Sequence, residues 1–417
     1  MNVAVIVLTL CVVGFSVTSV HAIEEEVTAV FKPDPANPQV NKFENTTPVS
    51  SICEVHIPTQ CQALNIFSLR NTGFRAYSNS PIPANHALMV GERNPRQGAM
   101  FKVPSQWRAF QVTHEKSGEV ETVEMRMAGI GSHWRTPRPP GVSAWALPGR
   151  SWSEQWRYPS SPCVATGFFT ADSANANFFW IVSEDAGACV AFPGIELSSL
   201  EYRTLEYAYE LRTPKPLEMS TGQYRGSLTY SMGPGGDFDF GDIMIPTDTQ
   251  MTFNFTLDVQ HTLKVEVPPG GNNIQLVPQG GWQAWLNQGR KPTRLFRDQT
   301  FNISASSRFK MGLECQYWAG GNTCNVYDSV SGHSVPVNVS VSLPSGLVDE
   351  TGSSVSRRPL RRDGVGTELF QPVFYVDRKP GILHFEIPAG EVAEMIHPGT
   401  ARQYSGNVTV IWDSEVG

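Results

Sequence analysis

Between Gly129 and Cys163 the chain carries Trp134, Trp145, Trp152 and Trp156, interleaved with Arg135, Arg138, Arg150 and Arg157. Four of the ten tryptophans therefore fall in one Pro-punctuated stretch, and their chemistry is specific. Indole faces stack on sugar rings, and guanidinium groups pair bidentately with carboxylated or sulfated glycans. Arg126, on the alternating run Val120–Met127 just before, is a further candidate cation. These nine residues form a candidate receptor-binding set for a glycan. The competing reading is that the indoles anchor a long loop against a β-sandwich core.

Other chemistry is sparse. No G-x-S-x-G elbow, H-E-x-x-H helix, P-loop or G-x-G-x-x-G fingerprint is present, and the nine histidines are scattered singly. No metal and no cofactor are expected. A glycosidase needs only two carboxylates joined by the fold, so an exported carbohydrate-active enzyme stays open as a third reading. The alternating Asp237, Asp239 and Asp242 read as a hairpin connection in preference to a calcium turn. The sequons at Asn45, Asn254, Asn302, Asn338 and Asn407 fall largely in alternating strands, where Asn and Thr fill polar faces.

An apolar run from Val3 to Val20, followed by Val20-His21-Ala22, makes residues 1–22 an expected signal peptide cut before Ile23. Six cysteines remain: Cys53, Cys61, Cys163, Cys189, Cys315 and Cys324. An even count in an exported chain points to disulfides, and sequence proximity favours Cys53–Cys61, Cys163–Cys189 and Cys315–Cys324. Metal binding is the rival, without C-x-x-C or H-x-x-x-H spacing to support it. The net charge of −7 is modest and unclustered, which argues against a nucleic-acid partner.

The elements that position these residues read as strands. Charged residues make up 17% of the 417, against 36 glycines and 31 prolines, a turn-rich composition that favours an all-β protein of two domains. Residues 23–50 read as a polar, Pro-rich lead-in with little core of its own. Phe253, Phe255, Leu257 and Val259 alternate with polar residues, as do Val335–Leu343 and Leu383–Ile387. The expected organisation is a first domain at 23–245, a linker at 246–250 and a second domain at 251–417. One phrase, Gln-Tyr-x-Gly-x-(Leu/Val)-Thr, occurs at Gln223–Thr229 and again at Gln403–Thr409. The second copy leads into Val408, Val410 and Trp412, and only four residues follow Asp413 of 417. Its missing neighbour is expected to come from another protein.

The order of these features resembles the tip adhesins and initiators of class 5 chaperone–usher pili. The resemblance covers nearly the whole mature chain. It is carried by Phe253–Val259, which looks like the first strand of the family's pilin domain, and by Pro388-Ala389-Gly390-Glu391. The closing Gln403–Thr409 and the two cysteine pairs of the first domain complete it. It implies two immunoglobulin-like sandwiches, the C-terminal one incomplete and lacking its last strand. It implies no enzyme but a fimbrial tip adhesin and assembly initiator. The partners would be a periplasmic pilus chaperone, an outer-membrane usher, a major pilin subunit donating a strand, and a host-cell receptor, a glycan. The location would be the fimbrium tip on the outer surface of a Gram-negative bacterium, reached through the periplasm. Tyr404, Val408, Val410 and Trp412 would edge the donor-strand groove. The alternative is a structural minor pilin that initiates assembly without binding a receptor. The family's Arg pair has no match in Ser231–Asp242, which holds three aspartates, and Cys315 and Cys324 close a local loop where the family joins distant strands.

Overall fold

The computed structural model describes residues 22–84, 94–137, 145–146, 154–159, 161–172, 174–362, 369–397 and 402–414. The chain is all-β, with strands collected round two main hydrophobic cores and a smaller third cluster around the Cys53–Cys61 bridge. The expected signal peptide lies outside the described residues except for Ala22. The three expected disulfides, Cys53–Cys61, Cys163–Cys189 and Cys315–Cys324, are formed.

The principal strands of the first unit are β1 (Ala22–Phe31), β2 (Arg108–His114), β3 (Val120–Arg135), β4 (Asn175–Val182), β5 (Leu205–Arg212), β6 (Gly222–Ser231) and β7 (Gln250–Val259). They belong to one hydrogen-bonded sheet of thirteen strands curled round the first core. β6 pairs antiparallel with β7 along ten residues and with β2 at Tyr224 and Arg225. β7 pairs on its other side with β1, in parallel, from Ala22↔Gln250 to Phe31↔Val259.

Two expectations change here. The stretch after Ile23 is not a coreless lead-in: Ile23, Val27, Ala29 and Phe31 are buried in the first core. Its triple glutamate hid the alternation, because Glu25 points inward and accepts a hydrogen bond from Asn71 Nδ2 at 3.0 Å. The cores also do not part at residues 246–250. Met251, Phe253, Phe255, Leu257 and Val259 all lie in the first core, and the second begins with Leu263. Period-2 alternation reports a strand and its buried face but not the sheet it joins.

The second unit is a sandwich of two sheets. Its principal strands are β8 (Leu263–Glu266), β9 (Leu295–Ala305), β10 (Phe309–Cys315), β11 (Ser334–Ser342), β12 (Leu369–Pro372), β13 (Val376–Ile387) and β14 (Val408–Ser414). One sheet runs β8-β9-β13-β11 with short flanking strands. The other runs from Leu347–Asp349 through β12 and β10 to β14.

Between the units sits His261. Its Nε2 donates to the Met219 carbonyl at 2.9 Å, so its Nδ1 is the acceptor facing the Ser306 hydroxyl at 3.1 Å. Its ring packs on Phe31, 5.6 Å between centroids. Burial pushes its pKa below the usual imidazole value, and the charge of Arg308 adds to that, against the raising effect of the Met219 and Pro216 carbonyls.

Candidate functional site: an open seam and a cleft at Trp107

The last strand decides the geometry of the second unit. β14 pairs with β10 from Phe309↔Ser414 to Cys315↔Val408, and no other strand is paired with it among the described residues. Val408, Val410 and Trp412 turn toward the second core yet stay half-exposed, while Thr409, Ile411 and Asp413 face solvent. The Trp412 ring meets Phe301 edge-on at 4.8 Å. Phe301 lies on β9, the neighbour of β8, and β8 ends its own sheet. The two sheet ends therefore open on the same side of the sandwich. Leu263 and Val265 of β8 are likewise only partly buried, so both rims of the seam present uncovered apolar side chains.

Tyr404 holds the start of this strand. Its hydroxyl meets His333 Nδ1 at 2.7 Å and accepts from Arg402 Nη1 at 3.2 Å. Asn407 N donates to Gln316 Oε1 at 2.9 Å, beside the Cys315–Cys324 disulfide. The seam is thus rigid at one end and open along its length.

The Trp/Arg set separates by residue type. Trp134, Trp145 and Trp156 are at most 1% exposed and pack on one another with centroids 4.8 to 5.4 Å apart. Trp180 Nε1 donates to the Trp156 carbonyl at 2.7 Å. These indoles anchor the core and leave no face for a sugar. Arg135 and Arg157 are exposed. Arg138, Arg150 and Trp152 lie outside the described residues.

Arg126 belongs to a different constellation. Its guanidinium stands 5.5 Å from the ring centre of Trp107, Arg212 stacks on the same ring at 3.8 Å, and Arg126 pairs with Glu210. Next to it Arg108 lies over the Tyr230 ring at 4.7 Å and pairs with Asp237 at 2.5 Å. Burial alone would push the Asp237 carboxyl up, but Arg108 and the Ser231 donors outweigh it and hold the pKa below the usual range. A cleft of about 410 Å³ opens here, lined by Lys102, Trp107, Arg108, Asp185 and Asp237. The Trp107 indole N–H beside it is buried without a hydrogen-bond partner among the described residues. β6 starts beside Met219 at the junction and ends at Ser231 beside this cleft, which places the cleft roughly 30 Å from the second unit.

Sequence reasoning missed this cluster because its cations come from β2, β3 and β5, far apart in the chain. One signal was present: the aspartates of Ser231–Asp242 need arginines. Arg108 meets Asp237, and Arg96 meets both Asp239 and Asp242 at 2.7 Å.

A Ser342–His384–Asp298 chain also forms on the second unit, with 2.9 Å from Ser342 Oγ to His384 Nε2 and 2.7 Å from His384 Nδ1 to Asp298. The Arg357 N–H donates to the serine oxygen at 3.0 Å, and the aspartate is the exposed member. A nucleophilic triad presents its serine and buries its aspartate, so this arrangement is a cross-strand brace.

No family model and no curated protein matches the chain. Among solved structures it is similar to CfaE, the adhesive subunit of the CFA/I fimbria of enterotoxigenic Escherichia coli. The identity is 10%, 95% of each chain is covered, and the TM-score is 0.28. A chaperone–tip adhesin complex of CFA/I fimbriae is similar at 10% identity, covering 94% of this chain and 97% of that one, with a TM-score of 0.26. The CsuC–CsuE chaperone–tip adhesion subunit complex of Acinetobacter baumannii pili is similar at 10% identity, covering 95% and 99%, with a TM-score of 0.21.

Proposed function

We propose that the protein is a pilus tip adhesin that also initiates assembly. The second unit receives a strand from a periplasmic chaperone and then from a major pilin subunit at an outer-membrane usher. The first unit binds a host-surface glycan through the cleft around Trp107. One observation carries the reading: among the described residues β14 is a sheet edge whose inward side chains are only partly buried, opposite an equally half-buried β8. An added strand is the natural cover for such an edge, with backbone bonds giving affinity and alternate side chains filling the seam. Four or five apolar side chains at ~1.5–3 kcal/mol each give on the order of 10 kcal/mol. That is comparable to the stability of a whole domain, ~5–15 kcal/mol.

The cleft supplies the recognition chemistry. The Trp107 ring and the polar rim of Lys102, Arg108, Asp185 and Asp237 suit a glycan. Co-expression of the full chain with a periplasmic pilus chaperone tests the first half. A stable complex with new protection of β14 amides is expected; a chain equally soluble and equally protected alone would sink the reading. A glycan array tests the second half, with Trp107→Ala and Arg212→Gln expected to abolish the signal. Assembled pili without any glycan or cell binding would favour the structural initiator instead.

A further inference from the structure

A second cleft lies between the two units, about 450 Å³ in volume, with Asn41, Lys215 and Leu217 on one wall and Arg308, Val348 and Gln371 on the other. Boundaries between folded units are preferred places for ligands, and this volume falls within the usual range for small molecules.

Two polar groups in it are unfinished. Arg308, half-buried in the turn between β9 and β10, makes no side-chain hydrogen bond or ion pair among the described residues. Its charge still reaches its surroundings, lowering the pKa of both Glu119 and His261. The Asn41 side chain donates to the Pro38 carbonyl at 3.2 Å, while its Oδ1 is buried with no partner. Burying an acceptor without a donor costs free energy, and a guanidinium held half out of water favours an anion. Lys215 is already paired with Glu218 at 3.0 Å, so among the described residues Arg308 is the free cation of the cleft.

The surroundings narrow the ligand further. Glu119, Glu121 and Glu218 lie close enough to interact, and Glu121 is held above its usual pKa by burial and by the other two charges. Of the three only Glu218 lines the cleft, where it disfavours a second negative charge beside it. The remaining wall, from Pro216, Leu217, Val348 and Pro372, is apolar and suits the C–H face of a sugar ring.

We propose that this cleft binds a uronic acid, with the carboxylate on Arg308 and the ring hydroxyls along the polar rim formed by Asn41 and Gln371. The proposal is independent of the tip-adhesin reading, because neither the seam nor the distal cleft contributes a residue. Titration calorimetry of the full chain with sodium glucuronate, glucose and sodium cyclohexanecarboxylate separates the two contacts. Glucuronate is expected to bind saturably, and each of the others about tenfold more weakly or worse. Arg308→Gln is expected to weaken glucuronate by a similar factor, Arg308→Lys to restore part of it, and Arg294→Gln, beside the far end of β9, to change nothing. No saturable binding, equal affinity for glucose, or undiminished binding by a folded Arg308→Gln protein would overturn the proposal. If Arg308→Gln lowers the melting temperature, the glucuronate-to-glucose ratio on the unaltered chain decides. Loss of glycan-array binding in Trp107→Ala, with glucuronate binding intact, separates this site from the receptor site.

Discussion

β6 and β14 are approached by the same phrase and meet opposite fates. In each, the tyrosine hydroxyl ties the strand entrance: Tyr224 Oη accepts from the Ser220 N–H at 2.8 Å, and Tyr404 Oη accepts from Arg402. The first is the upstream backbone tie of an immunoglobulin-type tyrosine corner. In each, the glycine admits a neighbouring backbone. A Cβ at Gly226 would sit 2.3 Å from the Gln111 carbonyl oxygen, and one at Gly406 would sit 3.1 Å from that of Asn325. β6 is then covered along its length by β7, whose five inward residues are at most 2% exposed. β14 has no such cover among the described residues. The same phrase thus leads into one finished edge and one open edge, and what differs is a covering strand supplied by a later part of the same chain.

The largest test of this contrast is to supply the cover. A ten-residue strand with five alternating apolar residues, fused after Gly417 through a flexible linker, is expected to stabilise the second unit by several kcal/mol, up to about 10. Thermal melts and amide exchange at β14 would read the gain, and an unchanged melt would break the comparison. Next in size, Phe253→Ala in β7 should cost the first unit about 3–5 kcal/mol in denaturant unfolding. Trp412→Ala in the uncovered β14 should cost only about 1–2 kcal/mol, rising toward the β7 value once a strand is bound. Equal costs before and after strand addition would show that the seam is already filled.

The junction adds a pH term. His261 has a folded pKa below its ordinary value, so the unfolded chain binds its proton first. Stability is complete above the unfolded pKa, near 6.5, and is lost as pH falls from there toward the folded value. His261→Gln should flatten that part of the stability–pH curve, and an unaltered slope would remove the histidine from the account. The smallest effect is expected at Ile411, 40% exposed on the outer face of β14. Ile411→Ser should stay within about 0.5 kcal/mol, with or without a strand, because that face points away from the seam.

Much of this was legible in the chain. Alternation located the strands, the cysteine order located the disulfides, and the repeated phrase marked corresponding strands of two units. The signal at Gly129–Cys163 was also real, but its meaning was packing: Trp134, Trp145 and Trp156 close the first core. An indole reads the same in sequence whether it faces a ligand or its own core, because local pattern carries no information about what lies opposite.

What the sequence determined by itself was therefore local: strand periods, turn residues, bridge partners close in the chain, and the all-β class. Tertiary structure alone decided that Gln250–Val259 completes the first unit, and that Ala22–Phe31 joins it in parallel. It alone gathered Trp107, Arg108, Arg126 and Arg212 at one pole. The physical reason is that sheet pairing and side-chain clustering join residues tens to more than two hundred positions apart. Their energy comes from burial and complementarity that no short window of sequence contains.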